Sequence, residues 1–372
     1  MTLDKNQQAF LALVEAGLWE KDVRLSDYGI IDFMEIYRLA EEQSVLGVVT
    51  AGIEHVTDIK IPQADALAFV GSTLQIEQRN SSMNSFIAGL LPKTMEAGFQ
   101  WVLVKGQGIA QCYLRPNWRN AGDIDLLVDD RNYNNAREYF DNLTGQSNID
   151  DRNNSRKHLE YNIGSWLVEL HGTMHTNLSP KIDRTIDEIQ DKVFNDKEVR
   201  LWKDSDIIVS LPSLDNDVIF VFTHILQHFF KGGIGLRQLC DLSRLLWTYH
   251  DSINKSLLKQ RLEEMGIMTE WKTFGYILVE TLGLQKNSMP FYDGSFRSRA
   301  NRVLALIMES GNFGHNYDYS YFSKYPTILR KIITVWKQTR ASFRQSVIFP
   351  IDSFKFYVSF LVNKTKSTVS GE

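Results

Sequence analysis

The stretch Gly122-Asp123-Ile124-Asp125-Leu126-Leu127-Val128 decides how the rest of this chain is interpreted. Its apolar end predicts a buried β-strand, and the alternation of side chains along a strand places Asp123 and Asp125 on one face, about 7 Å apart. Two carboxylates this close repel each other unless a cation lies between them. A hard divalent ion with oxygen ligands, above all Mg²⁺, suits such a pair. Solvated acids at a polar strand entry are the alternative, so the surroundings must decide.

Composition places the chain among ordinary globular proteins. It has 372 residues, of which 43% are hydrophobic and 23% charged, as is usual for folded domains. This length predicts roughly two to three domain-sized units. The net charge of −4 and the pI near 6.1 show no basic footprint, so nucleic acid is not an expected partner.

The expected compartment follows from the cysteines and from the absence of targeting patterns. Cys112 and Cys240 both lie among apolar residues, which favours buried free thiols in a reducing compartment over a disulfide. The first residues lack the basic and apolar pattern of a secretion signal. No run approaches the ~18 apolar residues of a membrane span. A cytoplasmic protein with no transmembrane span is therefore expected.

Periodicity divides the chain into four predicted parts. Apolar residues recur every three or four positions in residues 1–97, which predicts an N-terminal helical region. Residues 98–211 change to short apolar runs bounded by glycines and predict an α/β core. Residues 212–315 are again helical in pattern, and residues 316–372 form a basic, aromatic extension. We expect that extension to be a solvated face packed by aromatic side chains, and a patch for an anionic membrane or nucleic acid is the alternative.

Within the core the pattern predicts specific elements. Residues 99–104 and the aspartate stretch are expected to be strands, and residues 131–143 a helix. Residues 158–163 and 165–171 are expected to pair as a hairpin around Gly164. Residues 207–211 are predicted to form a further strand that ends before Pro212.

The order strand, glycine turn, helix, loop and Asp-x-Asp strand resembles the DNA polymerase β-like nucleotidyltransferase superfamily, in particular its branch of uncharacterised nucleotidyltransferases. The similarity rests on Val104-Lys105-Gly106, Arg119, the stretch 122–128 and Val168-Glu169-Leu170-His171, within about seventy residues. It implies an α+β fold in which a small mixed β-sheet core with flanking helices is embedded between N-terminal and C-terminal helical regions.

The resemblance implies roles for three acids. Asp123 and Asp125 would hold Mg²⁺, or Mn²⁺, that bridges nucleotide phosphates. Glu169 would be the third catalytic carboxylate, which either binds the second metal ion or takes the proton from an attacking hydroxyl. Chemistry of this kind asks the protein mainly for positioning and charge neutralisation. His171, on the same strand face as Glu169, is expected to be a supporting hydrogen-bonding residue.

The resemblance also implies a nucleotide-binding set. Lys105 and Arg119 would clamp phosphates, one as a point charge and the other with fork geometry. Gly106 lets the backbone approach phosphate oxygens, although Gln107 departs from the usual turn and Gly108 is the alternative match. Arg237, just after a glycine-rich turn, is a further nucleotide-facing candidate, with a salt bridge inside its own helix as the alternative.

The predicted function is Mg²⁺-dependent transfer of NMP from an NTP, with ATP expected, to an acceptor hydroxyl. The acceptor is left open among a protein, a sugar and a small molecule. A nucleotide-sugar-dependent glycosyltransferase is one alternative, and a non-catalytic nucleotide-binding or scaffold protein of the same fold is another. His224 and His228 have helical metal spacing, but no Glu follows the first histidine and no third ligand is evident, so zinc is not expected there.

Overall fold

The computed structural model describes residues 3–146, 158–204, 207–311, 339, 343–351, 353–355 and 357. Most of the predicted extension 316–372 therefore lies outside the described residues. Within the described part, helices surround one small mixed sheet and one two-stranded sheet. The predicted α+β class is confirmed.

The larger sheet carries the aspartate stretch. Its strands are β1 (Val102–Val104), β2 (Ile124–Leu127), β3 (His158–Ile163) and β4 (Trp166–His171). Their spatial order is β1-β2-β4-β3. β1 runs antiparallel to β2, and β2 runs parallel to β4. β3 and β4 form the predicted hairpin, in which Gly164 turns with a φ of 61° that L-residues rarely adopt.

A second sheet pairs β5 (Val199–Asp204) with β6 (Ile207–Pro212) in antiparallel register. β6 is the predicted strand at 207–211, and it lies beside β1. β5 was not predicted, because its sequence, Val-Arg-Leu-Trp-Lys-Asp, does not keep a strict alternation of apolar and charged residues.

The helices are α1 (Lys5–Trp19), α2 (Phe33–Glu42), α3 (Leu46–Glu54), α4 (Gln63–Glu96), α5 (Gly106–Ala110), α6 (Asp130–Thr144), α7 (Pro180–Asn195), α8 (Leu214–Lys231), α9 (Leu236–Thr248), α10 (Lys255–Met265), α11 (Met268–Glu280) and α12 (Arg297–Ser310). Several of these helices begin at a side chain that caps the N-terminus. The Asp129 carboxylate accepts a hydrogen bond from the Asn132 amide at the start of α6, and Ser179 caps α7 in the same way.

Two apolar clusters hold these elements in place. One cluster joins the N-terminal helices to α8–α12 and includes Phe10, Phe222 and Trp271. The other fills the space between the larger sheet, α4 and α6, and includes Phe140 and Leu170. Each of these large side chains stabilises the fold by about 1.5–3 kcal/mol on burial. The three predicted boundaries between the four parts of the chain stay predictions.

The packing leaves one face of the larger sheet for the polar residues. Leu126 and Leu170 point into the apolar cluster against α4 and α6. Side chains alternate along a strand, so Asp125 and Glu169, one position earlier on each strand, point to the opposite face. That face looks toward α8 and α9 across a cavity.

None of the helices in the described residues is both long enough and apolar enough to cross a bilayer.

Candidate active site

Three carboxylates converge on the free face of the larger sheet. Asp123 immediately precedes β2 and Asp125 lies within it. Glu169 stands directly beside Asp125, because β2 and β4 run parallel with these two residues in register. One carboxylate oxygen from each of the three acids lies within 4.8 Å of the others. The structure thus brings together the three acids to which the sequence assigned a metal.

Repulsion among these acids is concentrated on Asp123. The neighbouring Asp125 charge, burial and the Glu169 charge raise the pKa of Asp123 from its ordinary value of 3.8 to about 6. Asp123 is thus the carboxylate whose charge is least compensated by the protein.

Lys105 compensates Asp125 directly. Its Nζ lies 2.6 Å from Asp125 Oδ1, and both side chains are almost fully buried. Burial alone would lower the pKa of Lys105, but Asp125, Asp123 and Glu169 together raise it. The backbone of Lys105 has φ 58° and ψ −142°, and Gly106 follows with φ 38°. These left-handed conformations turn the chain sharply from β1 into α5.

Two stacked imidazoles flank the acids on the other side. His171 Nε2 lies 2.9 Å from Asp125 Oδ1 and 3.3 Å from Glu169 Oε2, and His158 Nε2 lies 3.1 Å from the same Glu169 oxygen. The two rings are nearly parallel with centroids 4.7 Å apart. Burial by itself would raise the pKa of Glu169, but the two histidines and Lys105 hold it below the ordinary range. Likewise, burial would raise the pKa of Asp125, but Lys105 and His171 lower it.

Helix α8 forms the opposite wall of the cavity. His228 Nε2 lies 2.8 Å from His224 Nε2, which in turn lies 3.3 Å from Lys105 Nζ. Burial and Lys105 lower the pKa of His224 well below its ordinary value and that of His228 to about 3. Both imidazoles are therefore neutral at pH 7 and face the cavity as polar, uncharged groups.

Arg119 and Arg237 supply positive charge beside Asp123. The Arg119 guanidinium donates two hydrogen bonds of 2.7 Å to the Asp241 carboxylate. The resemblance implied that this bidentate guanidinium binds a phosphate, but in the structure it binds the carboxylate of Asp241. Arg237 donates to the Asn120 carbonyl at 3.1 Å, and its Nη1 lies 3.6 Å from where a β-carbon of Gly122 would stand. Both arginines line the cavity.

The turn after β1 is built differently at its two glycines. Gly106 lines the cavity, whereas Gly108 does not. A β-carbon at Gly108 would lie 2.8 Å from Leu211 Cδ2, so Gly108 permits close packing against β6. Gln107, the departure from the usual turn, is buried and donates to Asn84 Oδ1 of α4 at 2.7 Å.

A cavity of about 390 Å³ lies between the larger sheet and helices α8 and α9, a size typical of small-molecule sites. It brings together Asp123, Asp125, Glu169, Lys105, Gly106, Arg119 and Arg237, and it leaves Gly108 outside. The roles assigned to these residues stay predictions.

Sequence reasoning missed His158 and Lys231 as cavity residues. A signal for His158 was present, because a hairpin with a two-residue turn at Gly164-Ser165 pairs residue 158 with residue 171, as observed. Lys231, at the end of α8, is brought to the cavity only by tertiary packing, and local pattern carries no such information.

Comparison with known proteins adds a family. No curated protein and no solved structure matches the chain. The sequence model of a family described as uncharacterised nucleotidyltransferases matches residues 30–282. This range spans most of the chain, contains the sheet and all the cavity residues named above, and agrees with the resemblance drawn from the motifs. The chain belongs to this family of uncharacterised nucleotidyltransferases.

Proposed function

We propose that the protein transfers NMP from an NTP, ATP in the first place, to an acceptor hydroxyl with Mg²⁺ as the metal. The observation that carries this proposal is the convergence of Asp123, Asp125 and Glu169 in a cavity that also holds cationic side chains. Family membership supports nucleotidyl transfer in general.

The donor set fits a hard divalent ion. The Asp123, Asp125 and Glu169 group offers only carboxylate oxygens, which are the ligands that Mg²⁺ and Mn²⁺ prefer. The raised pKa of Asp123 shows that negative charge in this group is not fully balanced by the protein. Held by these three carboxylates, Mg²⁺ would supply positive charge that neutralises the charge developing on the phosphate oxygens.

The proposed reaction is a substitution at the α-phosphorus of the nucleotide. The acceptor hydroxyl oxygen bonds to the α-phosphorus, the bond from that phosphorus to the β-phosphate oxygen breaks, and pyrophosphate leaves with the electron pair. The hydroxyl proton is released to a base or to water. Glu169 has a lowered pKa and is therefore a weak proton acceptor, which favours the ligand role over the base role for this residue.

Cationic side chains would position the triphosphate. Arg237 lines the cavity close to Gly122, next to the acid pair. Burial and the like charge of Arg119 lower the pKa of Arg237, so an anion placed between the two guanidinium groups would be favourable for both. Gly106 leaves the backbone accessible at the end of β1.

Nucleotide binding and label transfer test this proposal. Mg²⁺ and ATP are titrated into the wild-type chain and into the Asp123→Asn/Asp125→Asn variant, with Asp191→Asn, at an exposed position of α7, as the matched control. We expect the double variant to lose at least about tenfold in Mg²⁺-dependent affinity, a drop of about 1.4 kcal/mol or more, and the control to bind as wild type. Equal binding by all three proteins contradicts the proposal.

The position of the label identifies the group transferred. With cell lysate as a source of acceptors, label in the α-phosphate of ATP should appear on a product, and label in the γ-phosphate should not. Binding without transfer in lysates from several growth conditions would favour the non-catalytic alternative. Transfer of sugar from a nucleotide-sugar would favour the glycosyltransferase.

A further inference from the structure

We propose that His158, Glu169 and His171 form a second metal site, for a divalent transition ion such as Co²⁺, Mn²⁺ or Zn²⁺, beside the all-oxygen group. This inference goes beyond nucleotidyl transfer, because it concerns a site of different donor chemistry. Both sites share Glu169.

The spacing of the donor atoms is that of ligands around one ion. Metal–nitrogen and metal–oxygen bonds of about 2.0–2.2 Å, at tetrahedral or octahedral angles, place neighbouring ligand atoms roughly 3.0–3.4 Å apart. Here His158 Nε2 and His171 Nε2 lie 3.1 and 3.3 Å from Glu169 Oε2. The rings stack nearly parallel, and all three donor atoms lie within 4.8 Å of one another.

Hydrogen bonding accounts for His171, whose Nε2 lies 2.9 Å from Asp125 Oδ1, but not for His158. His158 Nε2 is shielded from solvent and lies 3.1 Å from Glu169 Oε2, but within the described part of the chain the two groups are not aligned as a well-formed hydrogen bond requires. A buried imidazole nitrogen that faces a carboxylate oxygen without a hydrogen bond is costly. An ion bound to both atoms removes that cost.

Local charge favours a cation here. Asp123, Asp125 and Glu169 bring three negative charges, and Lys105 is the ammonium that lies against them at Asp125. Nitrogen donors select borderline transition ions over Mg²⁺, because imidazole suits Zn²⁺ and similar metals whereas Mg²⁺ prefers oxygen.

The chain offers a site with an open position. Two imidazoles and one carboxylate are the ligand set of catalytic zinc sites, in which a fourth position is left for water or substrate. His158, Glu169 and His171 all line the cavity, so that open position would face the space where a nucleotide or its acceptor enters.

Cobalt binding in excess Mg²⁺ tests the site without reference to activity. The full chain is freed of metal, saturated with Mg²⁺ and titrated with Co²⁺, and binding is followed by calorimetry and by visible absorption. His158→Gln and His171→Gln keep an amide that can hydrogen-bond the carboxylates but lack the imidazole. We expect both variants to bind Co²⁺ at least about tenfold more weakly than wild type, since even indirect changes at a metal site cost 10–100-fold.

Two controls separate this site from the proposed function. His175→Gln removes a nearby cavity histidine that is bonded to Asp187, and should leave Co²⁺ affinity unchanged. Asp123→Asn removes the all-oxygen group, and should retain Co²⁺ while it loses Mg²⁺-dependent ATP binding. If His171→Gln does not fold, as judged by circular dichroism, His158→Gln decides alone, because His158 is partly exposed at the sheet edge.

The proposal is overturned if wild-type protein binds no Co²⁺ in excess Mg²⁺, or if the His158→Gln variant binds it as wild type does. Either result leaves the nucleotidyl-transfer proposal untouched, because Mg²⁺-dependent ATP binding is measured separately.

Discussion

Asp123→Asn should stabilise the metal-free protein even though Asp123 is a predicted catalytic residue. The pKa of Asp123 is raised from 3.8 to about 6 in the folded state, first by Asp125 and then by burial. Two pKa units correspond to about 3 kcal/mol. Asparagine has the same shape and no charge, so the substitution removes this penalty and gains at most about 3 kcal/mol at pH 7.

The gain should depend on pH with a defined sign. Below the unfolded pKa of 3.8 Asp123 is protonated in both states, so the variant and the wild type should be equally stable. As the pH rises from 3.8 to about 6 the unfolded state ionises first, and the penalty in wild-type protein grows. Above pH 6 the difference should be constant.

Denaturation in EDTA at pH 4, 5, 6 and 8 measures this difference, and Asp191→Asn is the control because its side chain is exposed. Saturating Mg²⁺ should stabilise the wild type through preferential binding to the folded state and should affect Asp123→Asn much less. An Asp123→Asn variant that is less stable than wild type at pH 8 in EDTA would refute the view that repulsion among the acids dominates this site.

Two further substitutions test the buried charge network. Lys105→Met leaves Asp125 buried without its ammonium partner and should lower the free energy of unfolding by about 3–5 kcal/mol; urea denaturation in EDTA measures the loss, which added Mg²⁺ should partly restore. Arg119→Lys cannot keep both hydrogen bonds to Asp241, and the lost charged hydrogen bond should cost about 1.5–3 kcal/mol. The same measurement should show this loss with and without Mg²⁺.

The sequence was informative where geometry follows from neighbours along the chain. Asp123 and Asp125 share a face because a strand alternates, and the hairpin at Gly164 places Glu169 on a strand of fixed register. The helix predicted at residues 131–143 is observed as α6, Asp130–Thr144, within one residue at each end. Strand β5 was missed because its sequence does not alternate strictly, and helix α7 was missed although the Ser179-Pro180 start signal was present.

The rest of the site depends on contacts distant in sequence. Asp241 takes the hydrogen bonds of Arg119 across more than a hundred residues, and no local pattern indicates that the fork of Arg119 is used inside the protein. From the sequence, Gly108 and Gly106 were both possible matches to the turn glycine, but Gly108 faces Leu211 instead of the cavity. Only the packing of β6 against the turn distinguishes the two glycines.

The distribution of charge in the cavity explains why three acids can remain together. Asp125 is balanced by Lys105 and His171, and Glu169 by the two imidazoles, so each has a pKa below its ordinary value. Asp123 lacks comparable compensation and has a raised pKa. The folded chain therefore already meets the electrostatic cost of two carboxylates, whereas the charge of the third would be compensated by the proposed metal ion. Asp123 lies beside Gly122 just before the start of β2, on the side of Arg237. Binding of the proposed ion should therefore change the charge of the site most where the triphosphate is proposed to lie.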